Sequence, residues 1–296
     1  MNKIKEIKYI INTNKNLNKR ICLISDIHHD VDFDNKIYDE LLIKVRNLNP
    51  DYITISGDLL DKGCVLENIN SRNIISNFIK SLGEITKTLI VMGNHDQRYS
   101  YTNFNKEYSL NWFYSLNKYK NVYFLNNESI TFNNIDFIGY VPSVEWFNDF
   151  HKDNFYKEFN RHPVKINENN HYKIMLLHSP NSITKKVNYD NLPDITDNIN
   201  LILSGHMHNG ALPEFMEIRK NGRGLIAPNH KLFPKYVRGI HKIKDMNIVI
   251  SRGITTFSHP TFLKKFNFLY NKEITIIDLK WEIDYNINQV WGEYGV

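Results

Sequence analysis

Two histidines separated by a single residue follow a short apolar run in "LILSGHMHNG", residues 201–210. Alternate residues at a strand end point to the same side, so His206 and His208 could be two solvated, hydrogen-bonded side chains. The same spacing could also place both imidazoles on metal ions. An isolated H-x-H pattern does not decide between these interpretations, so the rest of the chain must supply the context.

The pattern of an apolar run followed by ionisable or amide side chains recurs along the chain. A helix-capping aspartate or a surface histidine would explain any one of these endings. Together they favour a shared site, because ligands bind at the carboxyl ends of strands in α/β sheets. The endings are Asp26 and His28 after "ICLIS", Asp58 and Asp61 after "ITISG", Asn94, His95 and Asp96 after "LIVMG", His178 after "IMLL", and His206 and His208 after "LILSG".

These side chains offer imidazole nitrogens together with carboxylate and amide oxygens, which suits a site for two divalent metals. Borderline cations such as Mn²⁺, Fe²⁺ and Zn²⁺ accept that mixture, whereas an all-oxygen set would indicate Mg²⁺ or Ca²⁺. Glycine precedes Asp58, Asn94 and His206. A residue without a Cβ lets the backbone turn sharply and approach such a site closely.

The first half of the chain predicts alternating strands and helices that would position these residues. "RICLIS" and "DYITIS" are buried strands, and "DNKIYDELLIKVRNLN" between them has the apolar spacing of a helix that ends before Pro50. A second helical stretch runs through "NIISNFIKSL" to the strand "KTLIVM". Parallel strands joined by helices follow from this order.

The second half is richer in predicted strands and indicates a mixed sheet. "SITFNNIDFIGYV" contains a hairpin turn at Asn133-Asn134, and four strand-like runs follow: "HYKIMLLH", "INLILSG", "NIVISRG" and "EITIIDL". Segment 141–170 is rich in aromatic and charged residues without a clean period, and we predict that it is an inserted lid or loop. We predict one domain over residues 1–296.

Composition excludes several classes of protein. With 42% hydrophobic and 23% charged residues, the 296-residue chain is typical of globular proteins. No apolar stretch has the length of a signal peptide or a membrane span, which predicts a soluble, cytoplasmic protein. Two cysteines do not indicate a disulfide framework. The net charge of +5 suits an anionic substrate but is too diffuse to predict a nucleic-acid site.

The ordered motifs D-x-H, G-D-x-x-D, G-N-H-D, a lone histidine and G-H-x-H resemble the calcineurin-like metallophosphoesterase superfamily, over residues 26–208. The resemblance implies an α/β fold, a four-layer αββα sandwich of two mixed β-sheets flanked by helices. Within the superfamily, "LILSGHMHNG" with "FPKYVRG" and "SRG" is similar to a bacterial group that includes UDP-diacylglucosamine pyrophosphatases and related phosphodiesterases.

The resemblance also implies a role for each motif residue. His95 would be the catalytic imidazole near the leaving-group oxygen, and Asp61 would orient it, fix its tautomer and favour its protonated form. The implied metal ligands are Asp26, His28 and His208 for one cation, Asn94, His178 and His206 for the other, and Asp58 as a bridge.

The implied activity is hydrolysis of a phosphodiester, phosphomonoester or pyrophosphate bond by metal-activated hydroxide, with two divalent cations, on a small-molecule or lipid-linked phosphate ester. Lys62 and Asp96 replace an arginine and a glutamate of the protein serine/threonine phosphatase branch, which argues against that branch. Two alternatives stay open. One is a non-catalytic scaffold of the same fold, which would typically lack His95 or a ligand. The other is a metal-dependent nuclease, which would need a basic groove.

Some cationic and aromatic residues have more than one interpretation. Arg98 and Arg252 could bind the phosphate, with a solvated surface charge as the alternative, and Arg252 is favoured because it follows a buried strand. The basic residues Lys231, Lys235 and Arg238 are interpreted as surface charge. "WFYSLNKYKNVYF" could be a membrane-interface patch, although a buried helix followed by a strand explains it more simply.

Overall fold

The computed structural model describes residues 3–103, 105–144, 146, 155–184, 198–213, 215, 216, 223–228, 232–258 and 261–282. The helices are α1 (Lys36–Leu48), α2 (Ile69–Ile85), α3 (Glu107–Ser115), α4 (Phe155–Arg161), α5 (Asn181–Thr184) and α6 (Thr261–Lys264). The strands are β1 (Lys5–Thr13), β2 (Lys19–Ile24), β3 (Tyr52–Ser56), β4 (Lys87–Val91), β5 (Val122–Phe124), β6 (Glu128–Phe132), β7 (Ile135–Tyr140), β8 (Tyr172–Leu177), β9 (Leu201–Ser204), β10 (Gly239–Ile243), β11 (Met246–Ile250) and β12 (Glu273–Trp281).

The first sheet has the strand order β1-β12-β2-β3-β4-β5, in which β2 to β5 are parallel and β12 runs antiparallel to β2. Helices α1 and α2 connect the parallel strands, as the sequence predicts. Helix α1 buries Ile37, Leu41 and Val45, which lie four residues apart on one face. It ends at Asn49, whose left-handed conformation caps the helix just before Pro50.

The second sheet has the order β10-β11-β9-β8-β7-β6, in which β11, β9, β8 and β7 are parallel and the two outer strands are antiparallel to their neighbours. The predicted turn at Asn133 and Asn134 joins β6 to β7. Both residues have positive φ, 48° and 62°, as a two-residue hairpin of type I′ requires. Both sheets are therefore mixed.

The two sheets pack face to face, and alternate residues of each strand point to opposite layers. In the second sheet Phe137 and Leu176 belong to the hydrophobic cluster between the sheets. Their neighbours Ile138 and Met175 belong to a separate outer cluster that also contains Phe159 of α4. This layering confirms the predicted α/β fold, a four-layer αββα sandwich of two mixed sheets flanked by helices.

Segment 141–170 is described in part, and residues 145 and 147–154 lie outside the described residues. Its described part carries α4 and packs against the second sheet. Trp146 and Phe159 are buried, and the Ser143 backbone N–H donates to Glu158 Oε1 over 2.6 Å. A docked helix therefore occupies a segment for which we expected a lid or loop, while an inserted origin stays a prediction.

Three further predictions concern an aromatic segment, the cysteines and membrane-spanning helices. "WFYSLNKYKNVYF" forms the end of α3, a short 3₁₀ turn and β5, with Phe113 and Leu116 buried, which agrees with the helix-then-strand interpretation. Cys22 and Cys64 are free thiols. Among the helices of the described residues, none is long and apolar enough to cross a membrane.

Candidate metal centre

The carboxyl ends of five parallel strands, from both sheets, meet at one edge of the sandwich. Asp26 and His28 follow β2, Asp58 and Asp61 follow β3, Asn94 and His95 follow β4, His178 follows β8, and His206 and His208 follow β9. These residues are buried, except His95 and His208, which are partly exposed. The structure thus brings the predicted strand-end residues together.

Many of these residues have a left-handed backbone conformation. A positive φ is uncommon outside glycine, is best tolerated by Asn, Asp and His, and costs about 1–3 kcal/mol when the surroundings enforce it. Such strain clusters at functional sites, and here it turns the chain so that side chains face the space between the strand ends. The positive-φ residues of this edge are Asp26, His28, Asp58, His206 and His208, with φ between 44° and 69°.

One group of possible ligands consists of Asp26, His28 and His208. His208 Nε2 lies 3.7 Å and His28 Nε2 lies 4.0 Å from Asp26 Oδ1. His208 Nδ1 donates to the carbonyl oxygen of Thr255 over 2.8 Å. Because a carbonyl only accepts, this bond places the proton on Nδ1 and directs Nε2, as an acceptor, toward Asp26.

A second group consists of Asp58, His178 and His206. His178 Nε2 lies 3.1 Å from Asp58 Oδ2 and 3.3 Å from His206 Nδ1. The other ring nitrogen of His178 donates to the carbonyl of Ser56 over 2.7 Å. This backbone bond fixes the orientation of the His178 ring, as second-shell bonds do for metal-binding histidines.

Asp58 connects the two groups through a single oxygen atom. Asp58 Oδ2 lies 3.1 Å from His178 Nε2 and 3.6 Å from His28 Nε2. Its other oxygen, Oδ1, accepts the backbone N–H of His95 over 2.9 Å. A carboxylate held by one oxygen and placed between two imidazoles by the other has the position of a bridging ligand.

The donor set fits divalent cations. Among the described residues, both ring nitrogens of His28 and the amide oxygen of Asn94 are buried without a hydrogen-bond partner. Buried polar atoms are nearly always paired, so these unpaired atoms need a partner beyond those that the described part of the chain provides. Imidazole nitrogens with carboxylate and amide oxygens match cations of borderline softness.

Charge interactions in this edge oppose the effect of burial. Burial disfavours the ionised form of Asp58, but the charges of His178 and His95 outweigh it and hold the pKa of the Asp58 carboxyl well below its usual range. Burial also disfavours the charged form of His178, yet Asp58 raises the pKa of His178 to about 9. For His28, burial and the nearby His95 lower the pKa. Asp58 is therefore held as an anionic carboxylate next to imidazole, whereas burial raises the pKa of Asp26.

Two glycines allow the motif loops to approach each other. A Cβ on Gly93 would lie 2.1 Å from Asp58 Oδ1, and a Cβ on Gly205 would lie 2.3 Å from Asp26 Oδ2. Neither distance is compatible with a side chain, so both positions require glycine for close approach to a carboxylate. Gly57, with φ of 85°, also needs the left-handed conformation that glycine adopts most readily.

His95 contacts Asp61 differently from what the resemblance implies. His95 Nδ1 donates to the backbone carbonyl of Asp61 over 2.9 Å, while the Asp61 carboxylate lies 3.8 Å from the same nitrogen. The tautomer is therefore set by a carbonyl rather than by the carboxylate. The carboxylate instead accepts the hydroxyl of Tyr101, at 3.0 Å to Oδ1 and 2.8 Å to Oδ2.

The predicted phosphate-binding arginines have protein partners. Arg252 Nε lies 2.9 Å from Glu273 Oε2, and this pairing offsets its charge. Burial lowers the pKa of Arg98, while the negative charge of Asp58 raises it, which puts Arg98 within electrostatic reach of the centre. Their roles toward a phosphate stay predictions.

The remaining histidine and basic residues considered from the sequence lie away from the two ligand groups or outside the described residues. His29 points away from the centre, as predicted, and its Nδ1 shares a 2.9 Å hydrogen bond with the Tyr38 hydroxyl. Lys235 is exposed and Arg238 partly so. Lys231, together with the motif-free histidines His230 and His259, lies outside the described residues.

Sequence reasoning named Asp96 at a strand end but missed its supporting role, and it missed the two backbone carbonyls that orient the imidazoles. Asp96 accepts the backbone N–H of Leu60 and that of Gly93, each over 2.8 Å, and so ties two motif loops together. Burial and the nearby Asp58 raise the pKa of Asp96 to about 7. Its place in G-N-H-D was the only available signal. The carbonyls of Ser56 and Thr255 had none, because any residue type supplies a carbonyl.

Comparison with known proteins agrees with this architecture. Residues 19–210 match the family model described as calcineurin-like phosphoesterase. The chain belongs to this family.

Curated relatives include Uncharacterized metallophosphoesterase Cj0846 of Campylobacter jejuni, 27% identical over 229 residues, and Uncharacterized protein YpbG of Bacillus subtilis, 28% identical over 193 residues. These matches cover 76% and 65% of this chain but only 54% and 62% of the relatives. Among solved structures, a dimetal phosphatase from Danio rerio has a TM-score of 0.42 and 9% identity, covering 79% of this chain and 87% of that one.

Proposed function

We propose that this chain is a metal-dependent phosphoesterase whose reaction takes place at the edge formed by the two ligand groups. The observation that supports this most directly is the position of Asp58 Oδ2 between His178 and His28, which joins two sets of buried ligands. Membership of the calcineurin-like phosphoesterase family supports the same reaction class.

The proposed ligand roles follow the two groups. Two bound divalent cations would supply an activated water and would neutralise charge on the phosphate oxygens. The proposed residues are Asp26, His28 and His208 for one cation, Asn94, His178 and His206 for the other, and Asp58 for both. The carbonyls of Ser56 and Thr255 hold two of the imidazoles in the tautomer that this role needs.

We propose that His95 donates a proton to the departing oxygen. Its Nδ1 proton is used in the bond to the Asp61 carbonyl, so Nε2 is the atom that carries the proton toward the leaving group. The imidazole is partly exposed and can therefore reach a substrate. General acid catalysis of this kind contributes about 10²–10⁴-fold to a rate.

The finer assignments are proposals that rest on the sequence. They include Mn²⁺, Fe²⁺ or Zn²⁺ as the cation, a phosphodiester, phosphomonoester or pyrophosphate as the bond, and a small-molecule or lipid-linked substrate. A relation to UDP-diacylglucosamine pyrophosphatases, a cytoplasmic location and phosphate binding by Arg98 or Arg252 belong to the same set. We also propose a single domain over 1–296, supported by one hydrophobic cluster that includes residues of both sheets.

The decisive test is hydrolysis of bis-p-nitrophenyl phosphate and p-nitrophenyl phosphate by protein stripped of metal and then reloaded with Mn²⁺. We expect turnover that requires the cation. His95→Ala should retain bound Mn²⁺ and should lose turnover by about 10²-fold or more on diphenyl phosphate, a diester whose poor leaving group depends on a proton donor. The preferred compound would distinguish a diesterase from a monoesterase. Bound cations without turnover on either compound would contradict the proposal and favour a scaffold.

A further inference from the structure

Tyr101 contacts the carboxylate that lies beside His95. Its hydroxyl lies 3.0 Å from Asp61 Oδ1 and 2.8 Å from Oδ2, so one proton is shared between the two oxygens. Asp61 is 1% exposed, and a desolvated carboxylate needs such donors. Three other nitrogen atoms lie farther from the carboxylate than this hydroxyl, at 3.4 Å for Lys62 Nζ, 3.8 Å for His95 Nδ1 and 3.9 Å for His28 Nδ1.

Asp61 in turn contacts His95 in two ways. Its backbone carbonyl accepts the Nδ1 proton, and its carboxylate lies near the same nitrogen. Any movement of Asp61 would therefore change both the direction of the His95 ring and the negative charge next to it. The hydroxyl of Tyr101 is the closest side-chain donor to that carboxylate among the contacts of the described residues.

The ring of Tyr101 is itself held on two sides. It lies edge-on to the His95 ring, with centroids 6.3 Å apart and planes at 86°. The Lys62 ammonium lies 4.7 Å from its centroid, a cation–π contact. Burial and the charge of Asp61 raise the pKa of the Tyr101 hydroxyl, so it keeps the proton that it donates.

We propose that Tyr101 is a positioning residue that holds Asp61 and thereby keeps the His95 imidazole aimed at the leaving-group oxygen. This inference rests on the proposed function, in which His95 is the proton donor. No signal in the sequence singles out this tyrosine from its neighbours in "RYSY".

The neighbouring Tyr99 offers a matched control. Its hydroxyl also donates to a carboxylate, that of Glu67, which lies on the surface and not beside His95. Tyr99→Phe and Tyr101→Phe each remove one hydroxyl that is bonded to a carboxylate. A general effect of such a loss on the fold would appear in both variants.

The test compares two diesters that differ in their need for a proton. Bis-p-nitrophenyl phosphate releases a stable anion, whereas diphenyl phosphate releases a poor leaving group that depends on the donor. We expect Tyr101→Phe to lower kcat for diphenyl phosphate by about 10-fold and for bis-p-nitrophenyl phosphate by less than about 2-fold, with KM unchanged. Tyr99→Phe should lower neither. Equal losses on both diesters, or no loss, would overturn the proposal.

A double-mutant cycle tests whether Tyr101 acts through His95. In a His95→Ala background the additional Tyr101→Phe change should have no further effect on diphenyl phosphate. Additive losses would show that Tyr101 acts by another route and would overturn the inference.

A readout without turnover separates this inference from the proposed function. In ¹⁵N-histidine-labelled protein with Zn²⁺ added, the Nδ1 proton of His95, assigned with His95→Ala, should exchange slowly with solvent. Tyr101→Phe should accelerate that exchange, while Tyr99→Phe should not. If the wild type hydrolyses neither diester, the proposed function fails and the exchange rates still decide the role of Tyr101. Unchanged exchange in Tyr101→Phe would overturn it.

Discussion

A histidine flanks strand β8 at each end, and each of the two histidines contacts an aspartate. His171 precedes the strand and donates from Nδ1 to Asp136 Oδ1 over 2.9 Å. His178 follows the strand, and its Nε2 lies 3.1 Å from Asp58 Oδ2. A strand of six residues separates the two pairs by about 20 Å. The same pair of residue types thus occurs at both ends of one strand, in different surroundings.

The pair at the amino-terminal end is fully satisfied by its neighbours. Asp136 Oδ1 accepts from His171 and from the Thr131 hydroxyl, and Oδ2 accepts from the Asn169 amide. Burial disfavours the charge of Asp136, but these three hydrogen bonds outweigh it and lower the pKa of the carboxyl. A carboxylate with donors on both oxygens stabilises the fold and has no further need for a ligand.

The pair at the carboxyl-terminal end of β8 belongs to a group of residues in which some buried polar atoms have no hydrogen-bond partner in the described part of the chain. His28 and Asn94 have buried atoms without a hydrogen bond among the described residues, and Asp26, Asp58 and His206 have positive φ. Buried polar groups in this condition destabilise a fold unless something binds them. The comparison shows that a His–Asp pair alone does not mark a site. In this chain the two ends of β8 differ in whether buried polar atoms are left without a hydrogen-bond partner among the described residues.

Asp58→Asn should give the largest effect, because it removes the negative charge shared by both ligand groups. We expect bound Mn²⁺, measured by elemental analysis, to fall at least about 100-fold in affinity and turnover to fall about 10³-fold or more. The amide oxygen can still accept the His95 backbone N–H, so the fold should survive. A variant that keeps two cations and full turnover would remove the distinction between the two ends of β8.

Replacing His171 and His178, which flank β8, with alanine one at a time tests the comparison directly. His178→Ala should weaken Mn²⁺ binding by about 100-fold, since it removes a proposed ligand. His171→Ala should leave Mn²⁺ binding and turnover unchanged. It should reduce the free energy of unfolding by about 1.5–3 kcal/mol, the range for one hydrogen bond to a charged group. Equal losses of metal in both variants would contradict the assignment of separate roles.

Much of the centre could be predicted from the sequence. Apolar runs mark the strands, and the residues after them can be read directly from the sequence. The structure places these predicted strand-end residues at one edge, while their roles as ligands stay predictions: Asp26, His28, Asp58, Asn94, His178, His206 and His208. Local periodicity also predicts α1, α2 and the hairpin at Asn133 and Asn134. These features depend on residues that are close in sequence.

Features that depend on distant residues could not be predicted in this way. Arg252 pairs with Glu273 at the start of β12, which lies between β1 and β2 although it is the last of the described strands in sequence. The contact from His95 to Asp61 uses a backbone carbonyl, and Tyr101 reaches Asp61 from 40 residues away. Side-chain type carries no information about either contact.

Removing the cation should destabilise the proposed metal centre at the carboxyl-terminal end of β8. It should leave the His171–Asp136 pair at the amino-terminal end of that strand unaffected. At a free concentration of about 100 times Kd, a ligand that binds only the folded state contributes about 2.7 kcal/mol. We therefore expect EDTA to lower the Tm by several degrees and Mn²⁺ to restore it. Asp58→Asn should show no response to Mn²⁺, whereas Asp136→Asn should respond like the wild type. A Tm that does not depend on the cation in the wild type would argue against the proposed site.

Asp136→Asn should give the smallest effect, one on stability alone. The folded pKa of Asp136 is lowered, so the folded protein binds this proton less readily than the unfolded chain, whose aspartates titrate near pH 4. Its contribution, about 1–2 kcal/mol, is therefore fully present above about pH 5 and is lost as the pH falls through the folded pKa. Urea unfolding at pH 7 and at pH 3.5 should show a wild-type advantage that shrinks at the lower pH. Mn²⁺ binding at pH 7 should be identical in the wild type and in Asp136→Asn. A wild-type stability advantage that does not change with pH would contradict this account, because it would mean that the hydrogen bonds of Asp136 do not depend on its charge.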